Sequence, residues 1–271
     1  MRLSGGALLL LAFGAAVPGP AAAQQRSEPQ LLLSLFGGVT TGSQLWEINR
    51  QRLTRLSDVG SVDSLRLTRR LEPGITFGAS ATYFPSPHLG LHAEILLYGL
   101  GVDDGCTLAY VDPSPVDSAA NRQVCADIAR RASTASTIGF LVGGFFRAAP
   151  RAFASPYARV HVGFTTRTLS TVEVTGRYVD ASGASVPRLI LDDPGGSGIL
   201  PTAGVGVGVM IPIAAGYQVA LEFRDNVLGM RRPSGPATSL ATPPVETTFV
   251  QAFSILLRLD IVLEQRRGRR Y

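Results

Sequence analysis

The chain has 271 residues, 45% of which are hydrophobic, and its formal net charge at pH 7 is +5. All 25 side chains in the Lys and Arg count are arginines, but they form no basic stripe with interleaved aromatic residues. The composition therefore gives nucleic-acid binding little support, and the length fits one domain after a short leader.

The amino terminus has the organisation of a secretory signal peptide. Arg2 precedes an apolar run over 7–17, and a small-residue pattern ending at Ala23 predicts cleavage after that residue. The alternative, a membrane helix, is disfavoured because the run is shorter than the roughly 20 residues needed to cross a bilayer. Residues 1–23 are therefore expected to be removed and 24–271 to form a single domain.

Eight alternating apolar segments follow the leader, separated by three tight turns and four long polar excursions. No later stretch has 18 apolar residues in a row, so only strands could cross a membrane here. The predicted strands are 30–40, 74–84, 89–102, 134–147, 157–168, 203–213, 217–224 and 249–263. The tight turns are 85–89, 148–155 and 213–216, and the excursions are 42–70, 103–131, 170–200 and 230–246.

The alternation has the period of 2 that β-strands require. In 249–263 the odd positions are apolar except Gln251, while the even ones include Arg258 and Asp260. In 203–213 valine and isoleucine alternate with glycine. Soluble sheets alternate too, but their strands usually run about 5 or 6 residues. The pattern therefore predicts an all-β fold, an eight-stranded antiparallel up-and-down transmembrane β-barrel with a crowded lumen.

On these features the mature chain resembles the small eight-stranded outer-membrane barrels of the OmpA/OmpX kind. The resemblance implies the outer membrane of a diderm bacterium, with short turns in the periplasm and long loops outside. It implies outer-membrane lipids, lipopolysaccharide and the assembly machinery as partners of a monomer. One departure is that the last strand is followed by an arginine-rich tail, 264–271, instead of ending on a terminal aromatic residue.

Cys106 and Cys125 both lie in the second excursion of an exported chain, which predicts a disulfide there. Closing a loop of this length would contribute about 3 kcal/mol on the entropic account. The alternatives are a reactive thiol pair or a metal site. They are disfavoured because no histidine lies in that excursion.

A set of ionisable residues shares the parity predicted for the lumen. Such charges facing lipid would cost about 2 to 4 kcal/mol each near mid-membrane, so they should face inward and pair. The leading interpretation is a packed network that plugs the lumen, and the alternatives are a narrow ion path or a metal site on two histidines. The residues are His92, Glu94, Arg159, His161, Glu222, Arg224, Arg258 and Asp260.

We therefore predict a structural or surface-interaction protein without a cofactor or metal. An enzyme is not expected, because His88, His92 and His161 all lie at or near predicted periplasmic turns and no catalytic motif occurs. A narrow porin-like channel is one alternative. Another is a soluble lipocalin-like binder of apolar ligands, in which Val205 and Val207 would line an interior cavity.

The excursions and strand ends give further expectations. The first excursion has an excess of arginine that could bind lipid phosphates or be ordinary solvated surface. The third and fourth excursions are predicted to be mobile turns. Phenylalanines occur at both even and odd positions of 134–147, so one of these side chains must face the lumen or lie at a β-bulge. The aromatic residues expected in interfacial girdles are Trp46, Tyr83, Phe84, Tyr98, Phe153, Tyr157, Tyr217 and Phe249.

Overall fold

The computed structural model describes residues 29–54, 62–110, 115–167, 172–192, 198–237 and 242–264. The predicted signal peptide and the arginine-rich segment 265–271 lie outside the described residues.

The described chain consists of strands and one helix of 14 residues. In chain order the strands are β1 (Gln30–Thr41), β2 (Gln44–Thr54), β3 (Val62–Phe84), β4 (Leu89–Tyr110), β5 (Ala132–Arg147), β6 (Ser155–Arg167), β7 (Val174–Val179), β8 (Ser185–Leu191), β9 (Ile199–Ala214), β10 (Tyr217–Pro233) and β11 (Val245–Glu264). Helix α1 (Pro115–Ile128) lies between β4 and β5. No helix in these ranges is long and apolar enough to span a bilayer.

Eight of the strands close into a ring. The order around it is β1, β11, β10, β9, β6, β5, β4 and β3, and β3 pairs again with β1. Every neighbouring pair in the ring is antiparallel. Because these strands are also consecutive in the chain once β2, β7 and β8 are set aside, the predicted up-and-down barrel is confirmed.

The strands begin and end close to the predicted tight turns but extend much further on the opposite side. β3 and β4 are 23 and 22 residues long. The first excursion is largely strand: it contains β2 and the upper part of β3, which pair with each other. The sequence left open whether this excursion forms a short helix or an extended segment above the membrane, and the extended form is adopted because these segments find backbone partners well above the height at which the apolar alternation stops.

Large apolar side chains form a belt around the outside of the ring. Val205 and Val207 are 54% and 56% exposed, whereas Arg258 and Asp260 are at most 1% exposed. This is the opposite of the packing that a lipocalin-like binder requires, and it is the face that membrane strands present to lipid. Other members of the belt are Leu33, Leu35, Ile75, Phe77, Leu91, Ile95, Val142, Val160, Leu221, Phe223, Leu257 and Leu259.

Asp225 is a carboxylate on the outward face of β10. It follows Phe223 at a spacing of two and is paired across the sheet with Phe253 and Val205, both exposed. It lies eight positions after Tyr217, or roughly 20 Å along the membrane normal for a strand tilted by about 40°. This is near the upper edge of a ~25 Å apolar band, where a carboxylate facing lipid costs at most about 1 kcal/mol.

Two ambiguous registers are resolved. On β5, Phe145 is buried in the lumen while Phe140 and Phe146 face outward, and no register shift interrupts the pairing of β5 with β4 or β6. Phe145 is therefore the inward residue, without a bulge. On β1, Leu32 is buried and Leu33 faces outward.

The predicted aromatic girdles are only half correct. Four of the residues are exposed at strand ends or turns, namely Tyr83, Phe153, Tyr217 and Phe249. The other four are buried inside the molecule, namely Trp46, Phe84, Tyr98 and Tyr157. The prediction was wrong for these because the parity of a residue on its strand, and not its distance from the strand end, decides which face it occupies.

A folded cap covers the end of the barrel that lies opposite the tight turns. We use this name for β2, α1, the β7–β8 hairpin and the upper ends of β3 and β4. Its apolar core is continuous with the upper part of the lumen. The core residues that the cap contributes include Leu45, Trp46, Ile48, Leu53, Leu65, Leu67, Val124, Ile128, Val174, Ile190 and Leu191.

The third excursion was predicted to be a mobile turn, but part of it is packed against α1. It contains the β7–β8 hairpin, whose Gly176 packs so closely on α1 that a Cβ there would lie 2.6 Å from Val124 Cγ1. The glycine lets the hairpin approach the helix, which explains why a segment rich in turn residues is nonetheless packed. In the hairpin turn, hydrogen bonds from Ser182 and from backbone amides hold the pKa of Asp180 below its ordinary value.

The predicted disulfide is confirmed. Cys106 near the end of β4 is bonded to Cys125 on α1, with a Cα–Cα distance of 5.2 Å. Polar contacts hold the same region: Asn121 Nδ2 donates to Asp63 Oδ2 at 2.5 Å, and Arg69 Nε lies 2.5 Å from Asp104 Oδ1. The disulfide therefore fastens α1 to the upper barrel wall.

We expect the double variant C106S/C125S to lose cap stability while the barrel stays closed. Without the cross-link, about 3 kcal/mol of loop-closure stabilisation is removed on the entropic account. Trp46, the only tryptophan of the chain, is buried in the cap and reports on it. In urea its emission should shift at a lower concentration than in the parent protein, while resistance of the barrel to unfolding in unheated detergent gels should be unchanged.

The parent protein supplies the control, since it should show no free thiol when denatured without reductant. Two titratable thiols per chain would contradict the disulfide. An unchanged Trp46 transition in the variant would instead show that the bond does not stabilise the cap.

Candidate functional site

The eight ionisable residues predicted for the lumen lie on four strands of the ring, and all are buried. Each strand contributes two at a spacing of i and i+2, which puts both on the same face. They lie toward the tight-turn end of the barrel, since three pairs follow a tight turn by a few residues and the pair on β11 lies a few residues before that strand ends at Glu264. The pairs are His92 and Glu94 on β4, Arg159 and His161 on β6, Glu222 and Arg224 on β10, and Arg258 and Asp260 on β11.

Glu222 contacts more of the arginines than any other carboxylate in the set. Its Oε1 lies 2.8 Å from Arg159 Nη2 and 2.9 Å from Arg224 Nε. Its Oε2 lies 3.5 Å from Arg258 Nη1 and accepts a hydrogen bond of 2.8 Å from the Tyr157 hydroxyl. This one carboxylate therefore joins three arginines from three strands.

Glu94 is a second junction on the opposite wall. Arg224 Nη1 lies 2.5 Å from Oε1, and Arg159 Nη1 donates to Oε2 at 2.9 Å. Arg159 and Arg224 thus each bridge Glu94 on β4 and Glu222 on β10. The side chains of this group cross the lumen from wall to wall.

Arg258 and Asp260 form a forked pair lower in the barrel. Arg258 donates from Nε and Nη2 to the two Asp260 oxygens at 2.8 and 3.1 Å. Gln218 Nε2 donates to Asp260 Oδ2 at 3.2 Å. The Arg258 guanidinium also lies over the rings of Phe145 and Tyr157, 5.4 and 5.1 Å from their centroids. A bidentate pair of this kind fixes the orientation of the guanidinium group and also balances its charge.

The two lumen histidines have separate partners. His92 Nδ1 lies 2.8 Å from Thr82 Oγ1, and its Nε2 lies 2.8 Å from Arg159 Nη1. His161 Nε2 lies 2.9 Å from Asn226 Oδ1. Across the described ranges, no group of three or more His, Cys, Asp or Glu side chains is arranged to hold a metal ion.

His88 lies in the tight turn after β3. Its Nδ1 is 2.8 Å from the Arg147 carbonyl oxygen, and its ring stacks on Phe146. It is therefore at the end of the barrel remote from the cap.

The charges of this network balance: three arginines stand against three carboxylates. An unpaired ion in the interior would cost several kcal/mol, and mutual pairing offsets that cost only when the geometry is good and the remaining donors are satisfied. The ion pairs above meet the first condition, but Arg159 Nε, His161 Nδ1 and Asn226 Nδ2 are buried without a hydrogen-bond partner among the described residues. Chemically, such a group can hold strands together and fill space.

Some residues of the network were missed by the sequence reading. Tyr157 was expected in a girdle, but its spacing of two from Arg159 gives it the same inward parity, and this was the available signal. Thr82, Gln218 and Asn226 were passed over because they are uncharged, although each lies at the inward parity of its strand. Phe36, whose ring lies 5.2 Å from the Arg224 guanidinium, had no distinguishing signal.

The glycines on the inward face of β9 make room for these large side chains. A Cβ at Gly204 would lie 2.5 Å from His161 Nε2, and one at Gly206 would lie 2.9 Å from Glu222 Oε1. The alternation of valine with glycine in this strand thus combines an outward apolar face with an inward face that has space for arginine and histidine.

Further side chains occupy the lumen above and below the network. Toward the cap lie apolar residues that include Leu96, Tyr98, Leu100, Leu228 and Val250. Toward the tight turns lie Leu32, Phe84, Phe145, Tyr157, Met210 and Ala220. The Arg147 guanidinium lies 3.6 Å from the Phe84 ring centroid, below that second cluster.

No protein-family model and no curated protein matches the chain. Among solved structures it is similar to the Neisserial surface protein A, with 11% identity over 87% of this chain and 97% of that one and a TM-score of 0.42. It is similar to the outer membrane protein AlkL, with 11% identity over 94% and 99% of the chains and a TM-score of 0.41.

The outer membrane protein OprG from Pseudomonas aeruginosa is also similar, with 9% identity over 88% of this chain and 97% of that one and a TM-score of 0.46. AlkL and OprG are both outer membrane proteins. The ring of eight strands is established by the strand pairings of the chain itself.

Proposed function

We propose that this protein is a monomeric, integral outer-membrane barrel of a diderm bacterium, inserted by the outer-membrane assembly machinery, whose lumen is plugged. Its role is structural or one of surface interaction, with the cap on the extracellular side as the interacting part. The role is not catalytic.

The observation that carries this proposal is the wall-to-wall pairing through Glu94 and Glu222. An ion crossing the lumen would have to separate arginine–carboxylate contacts of 2.5 to 2.9 Å at buried side chains. An eight-stranded barrel has an interior just wide enough to be filled by side chains. The clusters above and below the network, and the cap, add further layers that an ion would have to pass.

Planar-bilayer recording of the purified, refolded protein tests the plug. We expect no unitary conductance above that of protein-free membranes, with a general porin as the positive control. Stable conductance steps would favour the narrow-channel alternative. If those steps also changed their cation-to-anion selectivity in the variant Arg224→Gln, the path would run through the network and the plugged lumen would be ruled out.

A further inference from the structure

Four arginines lie on the outer face of the sheet formed by β2 and the upper part of β3. Arg50 and Arg52 belong to β2, and Arg66 and Arg70 belong to β3. All four are exposed. Their neighbours on the inward face, such as Leu65 and Leu67, are buried in the cap. We call this set the arginine face.

Most of the arginine face is not neutralised. Arg66 is paired with Glu47 at 2.6 Å, and the hydrogen bond from Arg66 holds the pKa of that carboxyl below its ordinary value. In the described part of the chain, Arg50, Arg52 and Arg70 form no ion pair. Asp103 is the cross-strand partner of Arg70, but the two side chains do not form an ion pair.

The backbone of β2 is shaped so that these side chains face outward. The β2–β3 register shifts between Ile48 and Gln51, and within that shift Arg50 has a positive φ of 65°. A positive φ is uncommon for a residue other than glycine and is held only where the surrounding structure requires it. Here it accompanies a change of face that exposes both Arg50 and Arg52.

The height of the arginine face relative to the apolar belt can be estimated from β3. Arg70 precedes Tyr83, at the lower edge of the belt, by 13 positions. At about 2.5 Å of height per residue for a tilted strand, Arg70 lies roughly 30 Å above Tyr83, and the belt accounts for roughly 25 Å of this. Arg66 lies roughly 10 Å higher. Arg70 therefore lies a few ångströms above the hydrocarbon boundary, whereas Arg52, whose cross-strand partner is Ser64, lies roughly 15 Å higher than Arg70.

We propose that the arginine face binds the phosphate groups of lipid A in the outer leaflet. This inference rests on the outer-membrane placement proposed above and goes beyond the structural role. Guanidinium groups bind phosphate oxygens through two parallel charge-assisted hydrogen bonds, and exposed, unpaired guanidiniums are free to do so. The charge is complementary, and Arg70 lies at the height of the headgroup layer.

Binding of lipid A to the refolded full-length protein in neutral detergent tests this proposal, with affinity measured by native mass spectrometry. We expect the variant R50Q/R52Q/R70Q to bind bis-phosphorylated lipid A at least about fivefold more weakly, because an arginine near the membrane surface, such as Arg70, contributes about 1 kcal/mol and a tenfold change corresponds to about 1.4 kcal/mol. The matched control R130Q/R131Q/R177Q removes the same charge from the segment that follows α1 and from β7, and should bind like the parent protein.

Equal binding by the two triple variants would overturn the proposal. If the test variant does not fold, the parent protein alone provides the test. It should bind dephosphorylated lipid A far more weakly than the bis-phosphorylated form. Equal binding of the two forms would also overturn the proposal. Displacement of lipid A by millimolar inorganic phosphate would show a free-phosphate site instead. Heat-dependent gel mobility and fractionation with outer membranes test the placement separately.

Discussion

Replacing Glu222 by alanine is expected to destabilise the barrel by roughly 3 to 5 kcal/mol, the effect of removing one partner from a buried ion pair. The substitution leaves Arg159, Arg224 and Arg258 short of an acceptor at once, and it removes the acceptor of the Tyr157 hydroxyl. The measurement is the urea midpoint of unfolding of the refolded protein, monitored through the difference in gel mobility between unheated and boiled samples.

Glu246→Ala is the matched control. Glu246 is also paired with an arginine on a neighbouring strand, Arg232, at 2.7 Å, but both side chains are more than 40% exposed. An exposed pair of this kind contributes about 0 to 1 kcal/mol. If Glu222→Ala unfolds at the same urea concentration as Glu246→Ala, the network does not stabilise the barrel.

Replacing Gly204 by valine is expected to cost roughly 1 to 3 kcal/mol through overpacking. Its new Cβ alone would lie 2.5 Å from His161 Nε2, 2.7 Å from Asn226 Oδ1 and 2.8 Å from the Asp225 carbonyl oxygen. The side chains can rotate only by breaking the hydrogen bond between His161 and Asn226, and the carbonyl belongs to the paired strand β10. The same urea series measures the effect.

Gly144→Val makes the same change on the outward face of β5. There a Cβ would meet only Val160 Cγ2, at 3.9 Å, so we expect stability to be unchanged or slightly raised by the higher strand propensity of valine. Equal urea midpoints for the two variants would mean that the inward face of β9 has spare room, which would contradict the prediction of a crowded lumen.

The sequence alone indicated the ring of strands and the face on which each residue lies. The reason is that a strand has a local period of 2, so the parity of Arg258 or Glu222 can be read from a few neighbours. The two cysteines were equally readable, since they are the only pair in the chain. Uncharged members of the network were missed, because parity places Tyr157 or Asn226 on a face without saying which ion it contacts.

Only the tertiary structure decided the cap and the partners within the lumen. Segments such as β2 and the β7–β8 hairpin carry no long alternation, and they are ordered by burial against residues far away in the chain, as Gly176 is against Val124. Whether Glu222 meets Arg159 or Arg258 depends on how the ring brings the strands together across the lumen, which no local pattern encodes. Local periodicity therefore determined the strands and their faces, whereas long-range packing determined the contacts and the cap.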